Sequence, residues 1–482
     1  MKTQPETLRK GLGAFVRRAM AEWKVPGLAV AVVKGGRTIF AEGFGLRDVK
    51  GGLAVTPQTL FAVGSVTKAF TATALGVLVD EGKLGWDTPV RDVLGGFRLR
   101  DPVATERATV RDLLCHRTGL PRHDNVWYAL KATREELAGR LRHLEPSKDF
   151  RARWQYQNLM YVVAGMAIEA LAGQSWEAFV AERILQPLGM TAANFSVADS
   201  QAVSDFAMPC RPKAGRTVRT DFYELGPLAP AGGINASVAE MARWLSVNLS
   251  GGRRRGRRIV SAEALKEIHS PQAVVPDQPA WTELRPLTYA LGWNVHPYRG
   301  HLALTHGGQI DGFQAGVGLL PGRKLGVVVL TNLMGHPVPD LVIYHAFDRL
   351  LGLEPVRWLA RLRAEAARNR KAQAARKRKE ARARRGSARP SRPLGNFAGR
   401  YEHPGYGAMT VERKGKALQA AWRGLAHTLR HCHHDVFELQ RLLWDPPRML
   451  SFLADAEGRI DRLIVHFEPA VDAIVFTRTA EQ

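Results

Sequence analysis

The sequence predicts an α+β protein in two parts. The first is an antiparallel sheet flanked by helices and carrying an all-helical lobe; the second is a small C-terminal antiparallel β-barrel. Three observations predict it. Strand-like runs stand at both ends of residues 1–355, helical patterning fills the stretch between them, and the grammar changes to short alternating strands after Leu394. At 482 residues the chain is long enough for a large domain plus a smaller one.

Taken in order, Leu12, Phe15, Val16 and Met20 recur near helical spacing, so the chain opens on an amphipathic helix. "GLAVAVVKGGRTIFAEGFG" (27–45) places two apolar, β-branched runs around Gly-Gly, the pattern of a hairpin. A largely helical region follows to about residue 270, including "MYVVAGMAIEALAG" (160–173) and "SVAEMARWLSVNL" (237–249). Ser237 reads as an N-cap, with Glu240 completing a capping box. "LLCHRTGLPRHD" (113–124) reads as a helix stopped by Gly119-Leu-Pro121 at a cleft rim. Strands return at 289–295, 301–308, 313–321 and 325–332, with turns suited to an antiparallel meander, and a helix at 340–352 closes the domain. Strands first, helices next and strands last place both ends of this domain in one sheet.

Charge is uneven. Fifteen Lys/Arg between Arg357 and Arg392 face only Glu365 and Glu380, and this segment holds most of the net charge of +24. Residues 356–393 are predicted to be a basic, Ala/Arg-rich linker, a helical spacer of roughly 40 Å ended by Gly386, Pro390 and Pro393. A solvated linker is the first reading and weak contact with a polyanion the second; neither aromatic interleaving nor zinc-ligand spacing sharpens the latter. Residues 394–482 alternate over about ninety residues, with "RKGKA" and "AEGRI" as hairpin turns, and argue for the barrel. His427, His431, His433 and His434 fall there. On an alternating strand His431 and His433 face one side and His434 the other, so they read as strand histidines and no metal or cofactor is expected.

Cys115, Cys210 and Cys432 are scattered and odd in number, which excludes a disulfide framework or a Cys-x-x-Cys motif. No apolar run is long enough to span a bilayer, and no cleavable leader is visible. As written the chain is expected in the cytoplasm, or in the periplasm if an export signal has been removed.

The chemistry centres on "FAVGSVTKAF" (61–70), where Ser65 precedes Lys68 by three residues on a helix-forming stretch. Positions i and i+3 share a helix face about 5–6 Å apart, so the amine can reach the hydroxyl. A serine hydroxyl is a poor nucleophile until a nearby base takes its proton, and desolvation disfavours the ammonium form of such a base. Ser-x-x-Lys alone is a weak signal. "WQYQNLMY" adds Tyr156, a candidate proton relay, and Asn158, which can orient Lys68, while "LTHGGQIDGF" adds His306, Gly307 and Gly308 at a strand end. Singly, Tyr156 reads as a core tyrosine, Asn158 as a helix cap and His306 as a strand histidine.

In this order the three motifs resemble the serine β-lactamase and penicillin-binding protein superfamily, in its class C-related branch, over roughly residues 10 to 350. "FAGRYEHPGYGAMTV" resembles the start of the lipocalin-like barrel that some members carry. The resemblance implies a β-lactamase/transpeptidase-like fold, Ser65, Lys68 and Tyr156 as catalytic residues, and Asn158, His306, Gly307, Gly308 and Gln309 as substrate-binding residues. It also implies an oxyanion hole built from the amides of Ser65 and Gln309. His123, just past the Gly-Leu-Pro turn, is a further candidate to line the cleft.

Members that act on penicillins usually carry Lys at the place of His306; an imidazole there is expected to be a weaker, pH-dependent anchor for a carboxylate. His at that place resembles D-aminopeptidases, related peptidases and some esterases. The expectation is therefore a serine hydrolase forming an acyl-enzyme on small peptides, amides or esters. A carboxylesterase or weak β-lactamase is the alternative, and a non-catalytic binder of peptidoglycan-like peptides or polyanions the second alternative.

Overall fold

The computed structural model describes residues 4–213, 215–354, 356–383, 389–439 and 447–479. The chain forms two compact units. One comprises residues 1–97, 103–119 and 149–360; the other comprises 98–102, 120–148 and 361–482. The expected domains are 1–355, 356–393 and 394–482. Within the second unit Glu468 accepts the His123 amide at 2.9 Å and the His123 ring meets the Tyr406 hydroxyl at 2.7 Å.

The first unit is built on a nine-stranded antiparallel sheet whose order runs 273–274, 288–289, 294–298, 301–310, 313–320, 325–331, 27–34, 37–48, 53–54. The predicted hairpin thus lies beside the last long strand, Leu28 opposite Thr331, and both ends of the unit share one sheet. The strands Phe313–Leu320 and Leu325–Thr331 are buried at every position because helices cover both faces. Helix Val338–Leu351 packs Ile343 and Phe347 over Gly318, whereas helix Val238–Leu249 packs Leu245 and Leu249 over Gly326. Gly318 pairs with Val327, so Gly326 points to the opposite face and the unit has three layers. Ser237 caps its helix and Glu240 returns the capping bond, as the sequence predicts.

Helix Thr67–Asp80 runs through the middle of the helical region and is buried from Thr67 to Leu78. Phe70 stacks on Trp244 at 4.1 Å and Trp244 on Trp293 at 5.5 Å, an aromatic column that clamps this helix to its neighbours.

In the second unit, eight consecutive strands from Gly399 to Thr479 close into an up-and-down barrel. Tyr401, Phe437 and Phe452 on these strands pack with Phe397, from the 3₁₀ turn Leu394–Phe397 ahead of the first strand, with ring centres 5.1–5.7 Å apart. The basic segment forms one helix, Trp358–Ala383, of 26 residues. Part of the predicted linker, residues 384–388, lies outside the described residues. Among the described residues no helix is long and apolar enough to cross a membrane, and no group of His, Cys, Asp or Glu is arranged to hold a metal. Cys115, Cys210 and Cys432 are buried.

Candidate active site

A single turn of 3₁₀ helix, Gly64–Val66, leads into helix Thr67–Asp80. From Thr59 to Leu78 Ser65 alone is not buried. The helix that carries it is fixed to the loop 229–234: Thr71 Oγ1 donates to the Pro230 carbonyl at 2.7 Å, and Thr67 Oγ1 accepts the Ile234 amide at 3.2 Å.

Lys68 is fully buried one turn further on. Its Nζ reaches Ser65 Oγ at 3.1 Å, Asn158 Oδ1 at 2.8 Å and the Ala231 carbonyl at 2.8 Å. An ammonium has three donors and no acceptor, so three oxygens match it and offset the cost of its burial. The rings of Tyr156 and Tyr161 stand 4.9 Å and 5.2 Å from the same nitrogen. Asn158 occupies the N-cap position of helix Leu159–Ala172, yet its side chain makes no capping bond. Gln157 Oε1 takes the Leu159 amide instead, which leaves the Asn158 carbonyl oxygen for Lys68.

Tyr156 is held from behind by His116, which lies outside the three sequence motifs. The two rings lie 4.5 Å apart. His116 Nδ1 accepts the Gln157 amide at 3.0 Å, and the His116 carbonyl accepts the Gln155 amide at 2.9 Å, so one histidine brackets the tyrosine. The helix predicted across 113–119 stops at Leu114, because His116 adopts a left-handed conformation, φ 62°, to make these bonds. Asp112 anchors the same corner. Burial opposes its charge, yet hydrogen bonds from Arg151 and Thr109 hold its carboxyl below the ordinary range.

The third motif arrives on strand His301–Ile310. Pairing with the strand Asn294–Tyr298 ends at Thr305, while pairing with Phe313–Leu320 continues to Ile310. Residues 306–310 therefore keep one edge unpaired by that neighbour, and this edge lies against the 3₁₀ turn. A Cβ built on Gly64 would stand 2.8 Å from the Gln309 nitrogen, and one on Gly308 would stand 3.0 Å from the Ser65 nitrogen. The backbones bearing Ser65 and Gln309 thus meet where a side chain would not fit.

His306 is buried, with Nδ1 2.6 Å from the Gly307 carbonyl and Nε2 2.9 Å from the Tyr289 hydroxyl. The carbonyl calls for the proton on Nδ1, so Nε2 accepts from Tyr289. Desolvation first, and then the Lys68 charge, push its pKa down to about 3. This corrects the expectation of an anchor titrating near neutrality: the ring is neutral through the working range and presents no cation to a carboxylate. His123 lies in the second unit, where its ring nitrogens are engaged by the Glu145 carbonyl and the Tyr406 hydroxyl.

Buried imidazoles also set an acid limit. Desolvation lowers His269, His336, His345 and His403 to about 4, from 6.5, alongside His306. The unfolded chain binds these protons first, so this contribution is complete above about pH 6.5 and is lost as pH falls toward 4. Thermal unfolding scanned from pH 7.5 to 4.5 should show Tm falling steadily below pH 6.5; a flat or rising Tm would contradict these assignments.

A Ser-x-x-Lys turn at the head of a buried helix, beside the free edge of an antiparallel sheet, is the architecture of β-lactamase-type proteins. The chain belongs to the β-lactamase family, whose model matches residues 12–348. Residues 383–478 match a domain of unknown function, DUF3471. The chain is 30% identical over 440 residues to unguisins hydrolase ungD' of Aspergillus campestris, covering 84% of this chain and 78% of that protein. It is 25% identical to protein flp of Staphylococcus aureus over 68% of this chain and 64% of that protein. Among solved structures it resembles the octameric penicillin-binding protein homologue from Pyrococcus abyssi, with a TM-score of 0.65 and 26% identity over 97% of this chain and 99% of that one. The class C β-lactamase from Rhodobacter sphaeroides shares the fold, with a TM-score of 0.58 at 22% identity over 70% of this chain and 99% of that one.

Proposed function

We propose that the protein is a metal-independent serine hydrolase that passes an acyl group through Ser65, acting on small peptides or amides. One observation carries this reading: the only residue of 59–78 that is not buried is a serine, and its hydroxyl sits 3.1 Å from a buried lysine amine. Ser65 Oγ attacks the substrate carbonyl carbon as its proton passes to the Lys68–Tyr156 pair, which titrates as a unit. The amides of Ser65 and Gln309 stabilise the developing oxyanion. The leaving amine takes the proton back, and water, deprotonated by the same pair, then releases the acid and frees Ser65.

The neutral, occupied His306 favours amide or peptide substrates over penicillins, whose carboxylate would find no cation at this position. The relatives named unguisins hydrolase support hydrolysis as the reaction class. A carboxylesterase of the same mechanism is the second reading, since an acyl-enzyme forms from either bond. The test is turnover of D- and L-aminoacyl anilides, p-nitrophenyl esters and nitrocefin by the purified protein. Preferential cleavage of an anilide is expected and nitrocefin should be the poorest substrate. Ester cleavage without any anilide cleavage would move the assignment to esterase, and efficient nitrocefin hydrolysis would overturn the reading of His306.

A further inference from the structure

The turn between strands Thr288–Tyr289 and Asn294–Tyr298 reaches all three motifs without belonging to any of them. Within it the Ala290 amide donates to the Trp293 carbonyl at 2.7 Å. Gly292 has φ 80°, and a Cβ there would stand 3.0 Å from the Lys68 carbonyl carbon and oxygen. The turn therefore lies directly on the backbone of the helix that carries Lys68. Trp293 joins the aromatic column through Trp244 at 5.5 Å. Tyr289, at the head of the turn, is thus anchored to the first motif.

Its side chain reaches the other two. The ring centre lies 4.8 Å from that of His116 and 5.8 Å from that of Trp154, and these rings stand 4.5 Å and 6.1 Å from Tyr156. The hydroxyl lies 2.9 Å from His306 Nε2. Tyr289 is only 1% exposed, so it meets no substrate itself.

The direction of the bond to His306 carries the argument. A neutral imidazole holds one proton, and the Gly307 carbonyl, 2.6 Å from Nδ1, can only accept. Nε2 is then a buried acceptor that needs a donor. Tyr161 cannot be that donor, because its proton goes to the Leu114 carbonyl at 2.6 Å. The Tyr161 oxygen also bonds the Tyr289 hydroxyl, but imidazole nitrogen is the more basic acceptor and takes the Tyr289 proton. Were Nε2 protonated instead, the Nδ1 lone pair would press on the Gly307 carbonyl. That carbonyl lies on the strand edge that holds the Gln309 amide, and the His306 ring stands 6.4 Å from the Tyr156 ring. Which nitrogen holds the proton is set by the bond the other makes.

We propose that Tyr289 is a positioning residue: its hydroxyl fixes the His306 tautomer and, through it, the strand edge that offers the Gln309 amide to the developing oxyanion. The proposal rests on the reading of Ser65 as nucleophile. Tyr289 then controls turnover rather than substrate capture, because the oxyanion develops only in the transition state.

Steady-state kinetics of Tyr289→Phe, His306→Asn and the double variant test it, beside imidazole ¹⁵N spectra of the histidine-labelled chains. Tyr289→Phe is expected to lower kcat about tenfold and to change KM less than about threefold. His306→Asn keeps a donor for the Gly307 carbonyl but removes the acceptor of Tyr289. Adding Tyr289→Phe to it should therefore cost less than about twofold more. The signals missing from His306→Asn belong to His306. In the parent chain they should show a protonated Nδ1 and a bare Nε2, and the Nε2 signal should shift in Tyr289→Phe. A protonated Nε2 in the parent chain would overturn the proposal, as would losses that multiply in the double variant. So would a Tyr289→Phe chain with unchanged kcat, and a lowered Tm there would make the tyrosine structural. Tyr289→Phe keeps the ring and its packing, so its kcat decides the matter even if His306→Asn does not fold. A parent chain that turns over no substrate would instead sink the reading of Ser65, while the spectra would still report the tautomer.

Discussion

Replacing Ser65 by alanine is expected to lower turnover of the preferred substrate by about 10⁴–10⁶-fold, with little change in Tm. The proposed nucleophile is lost outright. Stability should hold because Ser65 is only partly buried and Lys68 keeps two oxygen partners, Asn158 Oδ1 and the Ala231 carbonyl. Lys68→Met separates the roles of the pair: it should also abolish turnover, but it strips a buried acceptor of its donor and so should lower Tm as well. The paired measurement is steady-state turnover beside thermal unfolding for both variants. Loss of less than about tenfold in Ser65→Ala would place the chemistry elsewhere.

The second large effect concerns a residue with no side chain. Gly308→Ala should reduce turnover by about 10²–10³-fold, while Gly307→Ala should be close to neutral. A Cβ on Gly308 would collide with the Val63 carbonyl and stand 3.0 Å from the Ser65 nitrogen, forcing apart the two backbones proposed to form the oxyanion hole. The same atom on Gly307 would meet nothing nearer than the Ala315 carbonyl at 3.8 Å, an ordinary contact. Neighbouring glycines thus provide their own control. Equal loss in both variants, or none in either, would contradict the assignment of the Ser65 and Gln309 amides.

Much of this architecture was legible because the signals are local or periodic. The hairpin at 27–45, the strand meander after residue 289 and the Ser237 capping box each follow from residues a few positions apart. Ser65 and Lys68 were legible for the same reason, as neighbours on one helical turn. What escaped depends on distant contacts. The helix at 113–119 ends early because His116 is turned by bonds to residues 155 and 157. His306 looks like a titratable group in the sequence; it is neutral because the fold buries it beside Tyr289 and Lys68. The membership of residues 120–148 in the barrel's unit rests on bonds such as that from His123 to Glu468, 345 residues away.

The central claim is that Ser65 is a nucleophile activated by Lys68, and covalent capture tests it most directly. Intact mass spectrometry after treatment with a fluorophosphonate, followed by peptide mapping, should show one adduct per chain, located on Ser65 and absent from Ser65→Ala. No mass shift on the folded protein, or an adduct that persists in Ser65→Ala, would contradict it.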